Sequence, residues 1–78
     1  MFTLYSMTGC PHCVAAKQLL TSRGESFEIK MAGEDFTREE LVAKLGPVRT
    51  LPQIVKEQPN GETVHIGGFT DLQKHFFG

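Results

Sequence analysis

This sequence has few cysteines, and their positions limit what they can do. Only two of its 78 residues are cysteines, Cys10 and Cys13. A bridge between cysteines three positions apart closes a very small loop and constrains the unfolded chain little. We therefore expect the pair to perform chemistry rather than to staple a small secreted fold.

Strong charge and long apolar runs are also missing. The formal net charge is −1, and no basic stripe is present, so we expect no nucleic-acid partner. The apolar runs fall far short of a membrane span, and the first residues, Met1 to Leu4, lack the basic and apolar regions of a signal peptide. We expect a protein without membrane association in the reducing cytosol, where a close cysteine pair cycles or binds metal.

Hydrophobic periodicity divides the chain into seven short elements, without repeats or a linker, so we expect residues 1–78 to form one domain. Phe2 to Tyr5 and residues 26–31 alternate as strands do, and between them Pro11 suits the first position of a helix that ends at Arg23-Gly24. The later elements are a helix ending at Gly46-Pro47, strands at 53–57 and 62–66 joined by a Pro59-Asn60-Gly61 turn, and a short last helix.

Local signals predict the helix starts and the core. Thr37 and Glu40 have capping-box spacing, Phe36 and Leu41 have the spacing of a hydrophobic staple, and Thr70 with Gln73 repeats the capping-box spacing before the last helix. The residues expected to face the core include Phe2, Leu4, Phe27, Ile29, Leu41, Val42, Leu45, Ile54, Val64 and Ile66.

The element order β-α-β-α-β-β-α predicts an α/β fold. A strand, a crossover helix and a second strand make the first strand pair parallel, with a right-handed crossover. The hairpin adds antiparallel strands. The expected architecture is a four-stranded mixed sheet flanked by three helices.

The motif Cys10-Pro11-His12-Cys13 lies between the first strand and the first helix. Cys10 occupies the N-cap position, where free N–H groups and the helix dipole favour a thiolate and lower the pKa below the usual value of about 8.5. Cys13 falls one turn later on the inward face. We expect Cys10 to attack, Cys13 to resolve, and a protonated His12 to stabilise the thiolate further.

A structural zinc half-site is the alternative for this pair. Zinc usually takes four ligands, commonly in two pairs at recognised spacings. The chain has no second cysteine pair, and His65 and His75 are too far apart for a standard histidine pair. We therefore expect no metal.

Two further segments have ambiguous signals. Pro52 of Thr50-Leu51-Pro52 is either a loop proline or a cis proline that turns the Leu51 backbone toward the cysteines. In Gly67-Gly68-Phe69-Thr70-Asp71 the glycines allow a ligand close to the backbone, the helix N-terminus suits a carboxylate, and Asp71 suits an ammonium group. Local evidence alone favours a simple turn and helix cap for the second segment.

In this order and at these distances, the three segments resemble a glutaredoxin over essentially the whole chain, from Leu4-Tyr5-Ser6 to Leu72. The resemblance is closest to the short dithiol glutaredoxins of bacteria and phages. It implies a thioredoxin-like fold and glutathione as cosubstrate. It also implies a monomeric oxidoreductase that reduces protein disulfides and glutathione mixed disulfides, with ribonucleotide reductase as an electron acceptor by analogy.

The resemblance also assigns residues. It implies that Leu51-Pro52 is a cis peptide whose Leu51 backbone pairs with the glutathione cysteine, that Thr70 and Asp71 hold the γ-glutamyl end, and that Arg49 and Thr50 lie along the tripeptide. The expected site is Cys10, Pro11, His12 and Cys13 for catalysis, and Arg49, Thr50, Leu51, Pro52, Gly68, Thr70 and Asp71 for glutathione.

Two positions depart from the family pattern. Met7 stands where many members have a basic residue, which removes one carboxylate partner and leaves Arg49 or Lys17 as substitutes. His12 stands where the family usually has tyrosine. Two other functions therefore remain open: a redoxin reduced directly by thioredoxin reductase, and a dimeric carrier that binds a [2Fe–2S] cluster through Cys10 and glutathione.

Overall fold

A computed structural model of the chain describes residues 1–48 and 50–78. Its elements confirm the expected order, with each boundary within two residues of the prediction. They are β1 (Phe2–Ser6), α1 (Pro11–Ser22), β2 (Phe27–Met31), α2 (Arg38–Leu45), β3 (Gln53–Glu57), β4 (Thr63–Gly67) and α3 (Phe69–Phe77).

The four strands form one mixed sheet in the order β2-β1-β3-β4. Strand β1 runs parallel to β2 and antiparallel to β3, and β3 and β4 form the predicted hairpin. The register pairs Tyr5 near the end of β1 with Gln53 at the start of β3. This pairing brings the loop that follows β1, which carries the cysteines, beside the loop that precedes β3.

The core lies on both faces of the sheet, because successive side chains of a strand point to opposite sides. Phe2 and Leu4 of β1 pack with Leu20 of α1 and Leu72 of α3 on one face. On the other face, Tyr5 belongs to a second cluster that also contains Phe36, Leu41 and Val55. Each fully buried leucine contributes about 1.5–3 kcal/mol relative to an exposed one.

One of the two predicted capping boxes is confirmed and the other is wrong. Glu40 N–H donates to Thr37 Oγ1 at 3.2 Å, and Thr37 N–H donates to Glu40 Oε1 at 3.0 Å, so Thr37 caps α2. The last helix instead begins after Gly68, whose N–H donates to Asp71 Oδ2 at 3.1 Å. Thr70 is then the second residue of α3 and is too far into the helix to cap it.

Two residues expected in the core are exposed. Val42 is 37% accessible, since it lies about 100° around the short helix α2 from the buried Leu41. Val64 is 39% accessible because it belongs to the hairpin half of the edge strand β4, where the first three residues are exposed. The spacing of apolar residues predicts which face of a helix or strand points toward the core. How much of that face is buried depends on the elements that pack against it.

Candidate active site

The cysteine motif forms the junction of β1 and α1, as the sequence predicted. Cys10 is the N-cap of α1 with extended backbone angles, and Pro11 is the first helical residue. The N–H of Cys13 donates to Cys10 Sγ at 3.1 Å. Cys10 is therefore placed where its sulfur can receive a helix N–H group, and that hydrogen bond strengthens when the sulfur carries negative charge.

The two cysteines are disulfide-bonded and differ in accessibility. Their Cα atoms are 5.2 Å apart, within the ordinary range for a disulfide. Cys13 is only 4% exposed, whereas Cys10 is half-buried. A disulfide or thiol arriving from solvent therefore meets Cys10 first.

The loop before β3 lies against this disulfide. The peptide bond between Leu51 and Pro52 is cis, and Leu51 O lies 3.7 Å from Cys10 Sγ. This outcome agrees with the cis proline implied by the resemblance, and it puts the Leu51 backbone within reach of any group attached to Cys10. Pro52 itself is buried.

A pocket of about 630 Å³ opens beside this loop, toward the β4 edge of the sheet. It gathers six of the seven residues expected to contact glutathione, which come from two separate parts of the chain, together with His12 of the cysteine motif. The expected residues that line it are His12, Thr50, Leu51, Pro52, Gly68, Thr70 and Asp71. Arg49, the remaining expected contact, lies outside the described residues.

His12 and Phe69 form one wall of this pocket, which is called the β4 pocket below. Their rings are stacked, with centroids 6.1 Å apart and planes inclined by 21°. Phe69 is the first residue of α3, so the stack joins the N-termini of α1 and α3. The His12 ring, although exposed, is thereby packed against an aromatic face at the wall of the pocket.

The end of β4 is shaped by a glycine that no other residue could replace easily. Gly67 has a φ of +118°, and a Cβ atom at this position would lie 2.8 Å from Asp71 Cγ. Only glycine therefore allows the Asp71 carboxylate to fold back over the start of α3. Gly68 has an ordinary φ of −86°, so its role differs from that of Gly67.

Two residues of the pocket, Gln53 and His65, were given no role in the site by the sequence reasoning. Gln53 is 7% exposed, and its Nε2 donates to Thr50 O at 2.9 Å. This bond orients the amide, so His65 Nε2, at 2.7 Å, must donate to Gln53 Oε1. The contact depends on the pairing of β3 with β4, and no short sequence motif could have revealed it.

A second groove, of about 500 Å³, opens on the other side of the motif toward the β2 edge. Cys10, Pro11 and Cys13 line this groove and not the β4 pocket. Met7 and Lys17 line it as well. Lys17 was considered above as a replacement for the missing basic residue that would bind a glutathione carboxylate. It lines the groove on one side of the motif, whereas Thr70 and Asp71 line the β4 pocket on the other side.

Neither a metal-binding cluster nor a membrane-spanning helix is present within residues 1–48 and 50–78. No group of three or more His, Cys, Asp or Glu side chains in these ranges is arranged to hold a metal ion. None of the described helices combines the length and the apolar character needed to cross a bilayer.

In a comparison with known protein families, residues 2–59 match the glutaredoxin family model. The chain is 39% identical over 76 residues to glutaredoxin 1 of Escherichia coli, a match covering 88% of this chain and 84% of that protein. It is 44% identical over 70 residues to a glutaredoxin of Pseudomonas aeruginosa, covering 88% and 76%. A buckwheat glutaredoxin–glutathione complex superposes with a TM-score of 0.65 at 25% identity, covering 96% of this chain and 67% of that one.

Proposed function

This chain belongs to the glutaredoxin family and is a thiol-disulfide oxidoreductase of thioredoxin-like fold, and from that premise we propose that glutathione is its reductant. The observation that carries the proposal is the 3.7 Å distance from Cys10 Sγ to the backbone oxygen of Leu51, a residue that lines the β4 pocket. That pocket offers an exposed backbone edge at Thr50 and Leu51, a helix N-terminus and the Asp71 carboxylate. These groups match the backbone, carboxylate and ammonium of a γ-glutamyl tripeptide.

The cysteines divide the reaction between them. The Cys10 thiolate attacks one sulfur of a substrate disulfide, a Cys10 mixed disulfide forms, and the other substrate sulfur leaves as a thiolate. The Cys13 thiolate then attacks the Cys10 sulfur, which releases the second substrate thiol and forms the Cys10–Cys13 bond. Because Cys13 is buried, it reaches Cys10 but not an external disulfide.

Glutathione closes the cycle by donating two electrons. One glutathione thiolate attacks Cys10, frees Cys13, and leaves a glutathione mixed disulfide on Cys10. A second glutathione attacks that disulfide, so glutathione disulfide leaves and the dithiol is restored. In the mixed disulfide, the Leu51 backbone pairs with the glutathione cysteine, while the N–H groups at the start of α3 and the Asp71 carboxylate hold the γ-glutamyl end.

A coupled assay with glutathione, glutathione reductase and a small glutathione mixed disulfide tests the proposal. We expect activity in the parent, loss of activity in Cys10→Ser, and retained activity in Cys13→Ser, which keeps the attacking thiol. Cys13→Ser is also the matched control for Cys10→Ser, since both replace one sulfur by oxygen. Full activity of Cys10→Ser would contradict the division of roles.

The same assay separates glutathione from the main alternative reductant. Met7, in place of a basic residue, is the observation that favours direct reduction by thioredoxin reductase. Activity with thioredoxin reductase and NADPH, but none with glutathione, would replace the proposal by that alternative. The proposed setting is a reducing compartment such as the cytosol, with disulfide-containing proteins such as ribonucleotide reductase as the substrates to test.

A further inference from the structure

The β2 groove, formed by Met7, Val14, Lys17, Ile29 and Met31 together with the cysteine motif, is left apolar by the packing of the sheet. Ile29 and Met31 pair with Leu4 and Ser6 of β1, so their side chains lie on the same face of the sheet as Leu4. Leu4 is buried, but Ile29 and Met31 are only half-buried because β2 is an edge strand. Part of the apolar face of β2 is therefore exposed to solvent.

Two exposed side chains extend this apolar surface up to the disulfide. Met7 is 46% exposed and Val14 is 54% exposed, although both are large apolar residues. Both line the same groove as Cys10 and Cys13. A continuous exposed apolar surface is unfavourable in water and is typical of a site that another molecule covers.

The position of the groove fits a protein rather than glutathione. None of the described residues lines both the groove and the β4 pocket, which lie toward opposite edges of the sheet. Glutathione in the β4 pocket would leave the β2 groove open. A protein disulfide that reaches Cys10 can therefore rest its flanking residues on the groove without competing for the tripeptide contacts.

The positive charge of Lys17 indicates which kind of partner the groove favours. Among residues 1–48 and 50–78, Lys17 is the one charged residue that lines the groove. No ion pair to Lys17 is formed within the part of the chain that the structure describes. An acidic side chain next to an apolar segment would complement it, whereas a basic one would be repelled.

We propose that the β2 groove docks the segment flanking the disulfide of a protein substrate, and that this segment is apolar with one acidic residue. The apolar side chains cover Met7 and Val14, and the acidic residue pairs with Lys17. The inference deepens the proposed function, since it names the protein substrate that the Cys10–Cys13 pair reduces. Its test does not require glutathione.

The test is single-turnover reduction of synthetic peptides by the pre-reduced protein. Each peptide carries one internal disulfide flanked by leucine and valine, with either glutamate or lysine beside them. Two electrons pass from the Cys10–Cys13 dithiol to the peptide disulfide, so the protein becomes the disulfide and the peptide the dithiol. The rate is followed by acid quench, alkylation and mass spectrometry.

Neutral substitutions test the apolar contact without adding charge near the cysteines. We expect Met7→Gln and Val14→Asn each to lower the second-order rate constant for the glutamate peptide about five- to tenfold, since each removes apolar burial. Val64→Asn is the matched control, because Val64 is an exposed valine far from the groove. It should change the rate less than about twofold, within the range of ordinary surface substitutions.

The charge of the partner is tested by Lys17→Glu. The parent should reduce the glutamate peptide about fivefold faster than the lysine peptide, as expected for one screened charge pair, and Lys17→Glu should reverse that preference. Equal rates for the two peptides in the parent, or unchanged peptide rates in Met7→Gln and Val14→Asn, would overturn the proposal. Failure of the glutathione-coupled assay alone would instead refute glutathione as reductant and leave these single-turnover rates interpretable.

Discussion

The hydrogen-bond chain from His65 through Gln53 to Thr50 O makes a quantitative prediction about substrate binding. Its two bonds, of 2.7 and 2.9 Å, connect the exposed end of β4 to the backbone beside Leu51. Replacing His65 by alanine removes the donor to Gln53 Oε1. Replacing Gln53 by leucine also removes the donor to Thr50 O, so the Thr50 carbonyl loses its side-chain hydrogen bond as well.

The expected increase in KM follows from the strength of these hydrogen bonds and from how exposed they are to water. A typical hydrogen bond contributes about 0.5–1.5 kcal/mol net, and His65 is exposed, so water partly replaces it in His65→Ala. If the lost energy orders the Thr50–Leu51 backbone for glutathione, a loss of about 1 kcal/mol raises KM roughly fivefold. Gln53→Leu loses both bonds, and we expect its KM to rise by about tenfold or more, with kcat nearly unchanged.

The assay is steady-state kinetics with a small glutathione mixed disulfide, paired with urea unfolding of each variant. His65→Gln keeps an N–H donor and should recover most of the affinity lost in His65→Ala, whereas Val64→Ala on the same strand should resemble the parent. A general loss of structure would lower kcat and stability together. The reasoning is refuted if His65→Ala and Gln53→Leu leave KM at the parent value, or if His65→Gln is as weak as His65→Ala.

Four further predictions concern the site and the fold. His12→Tyr should make the reduction potential more negative by tens of millivolts, on the order of 30–90 mV, because a histidine in the first turn of α1 stabilises the Cys10 thiolate, and so the reduced form, whenever it is protonated. Equilibration with a glutathione redox buffer measures the potential, and no shift or the opposite shift would contradict the role of His12. Leu72→Ala should cost about 2–5 kcal/mol in urea unfolding, since Leu72 is fully buried, whereas Phe77→Ala at an exposed position should cost much less. Thr37→Ala should cost about 1 kcal/mol through the lost cap of α2, and an equal cost for Thr70→Ala would contradict the placement of Thr70 inside α3. A hydrogen bond with the Tyr5 hydroxyl raises the pKa of Lys44 above its ordinary value of 10.5, so the charged Lys44 makes a small contribution to stability. This contribution is complete below pH 10.5 and is lost as the pH rises through the raised pKa. Lys44→Met should therefore flatten the alkaline part of the curve of stability against pH, measured by urea unfolding.

Much of the site could be predicted because its signals are local. The N-cap position of Cys10, the helical position of Pro11 and the capping box of Thr37 depend on atoms within one helical turn. The parallel pairing of β1 and β2 follows from the length and handedness of one crossover. The cis peptide at Pro52 agrees with a resemblance of three motifs together, since its own neighbours left it undecided.

The sequence by itself thus determined the elements, the redox pair and the family, while the tertiary structure decided which side chains meet. Gln53 contacts His65 because β3 pairs with β4, and α3 begins at Phe69, directly after Gly68, because Asp71 folds back over the space left by Gly67. The β2 groove is open because β2 lies at the edge of the sheet, which no local pattern specifies. Local structure depends on interactions between near neighbours in the chain, whereas a pocket or groove depends on distant segments that only the packed sheet brings together.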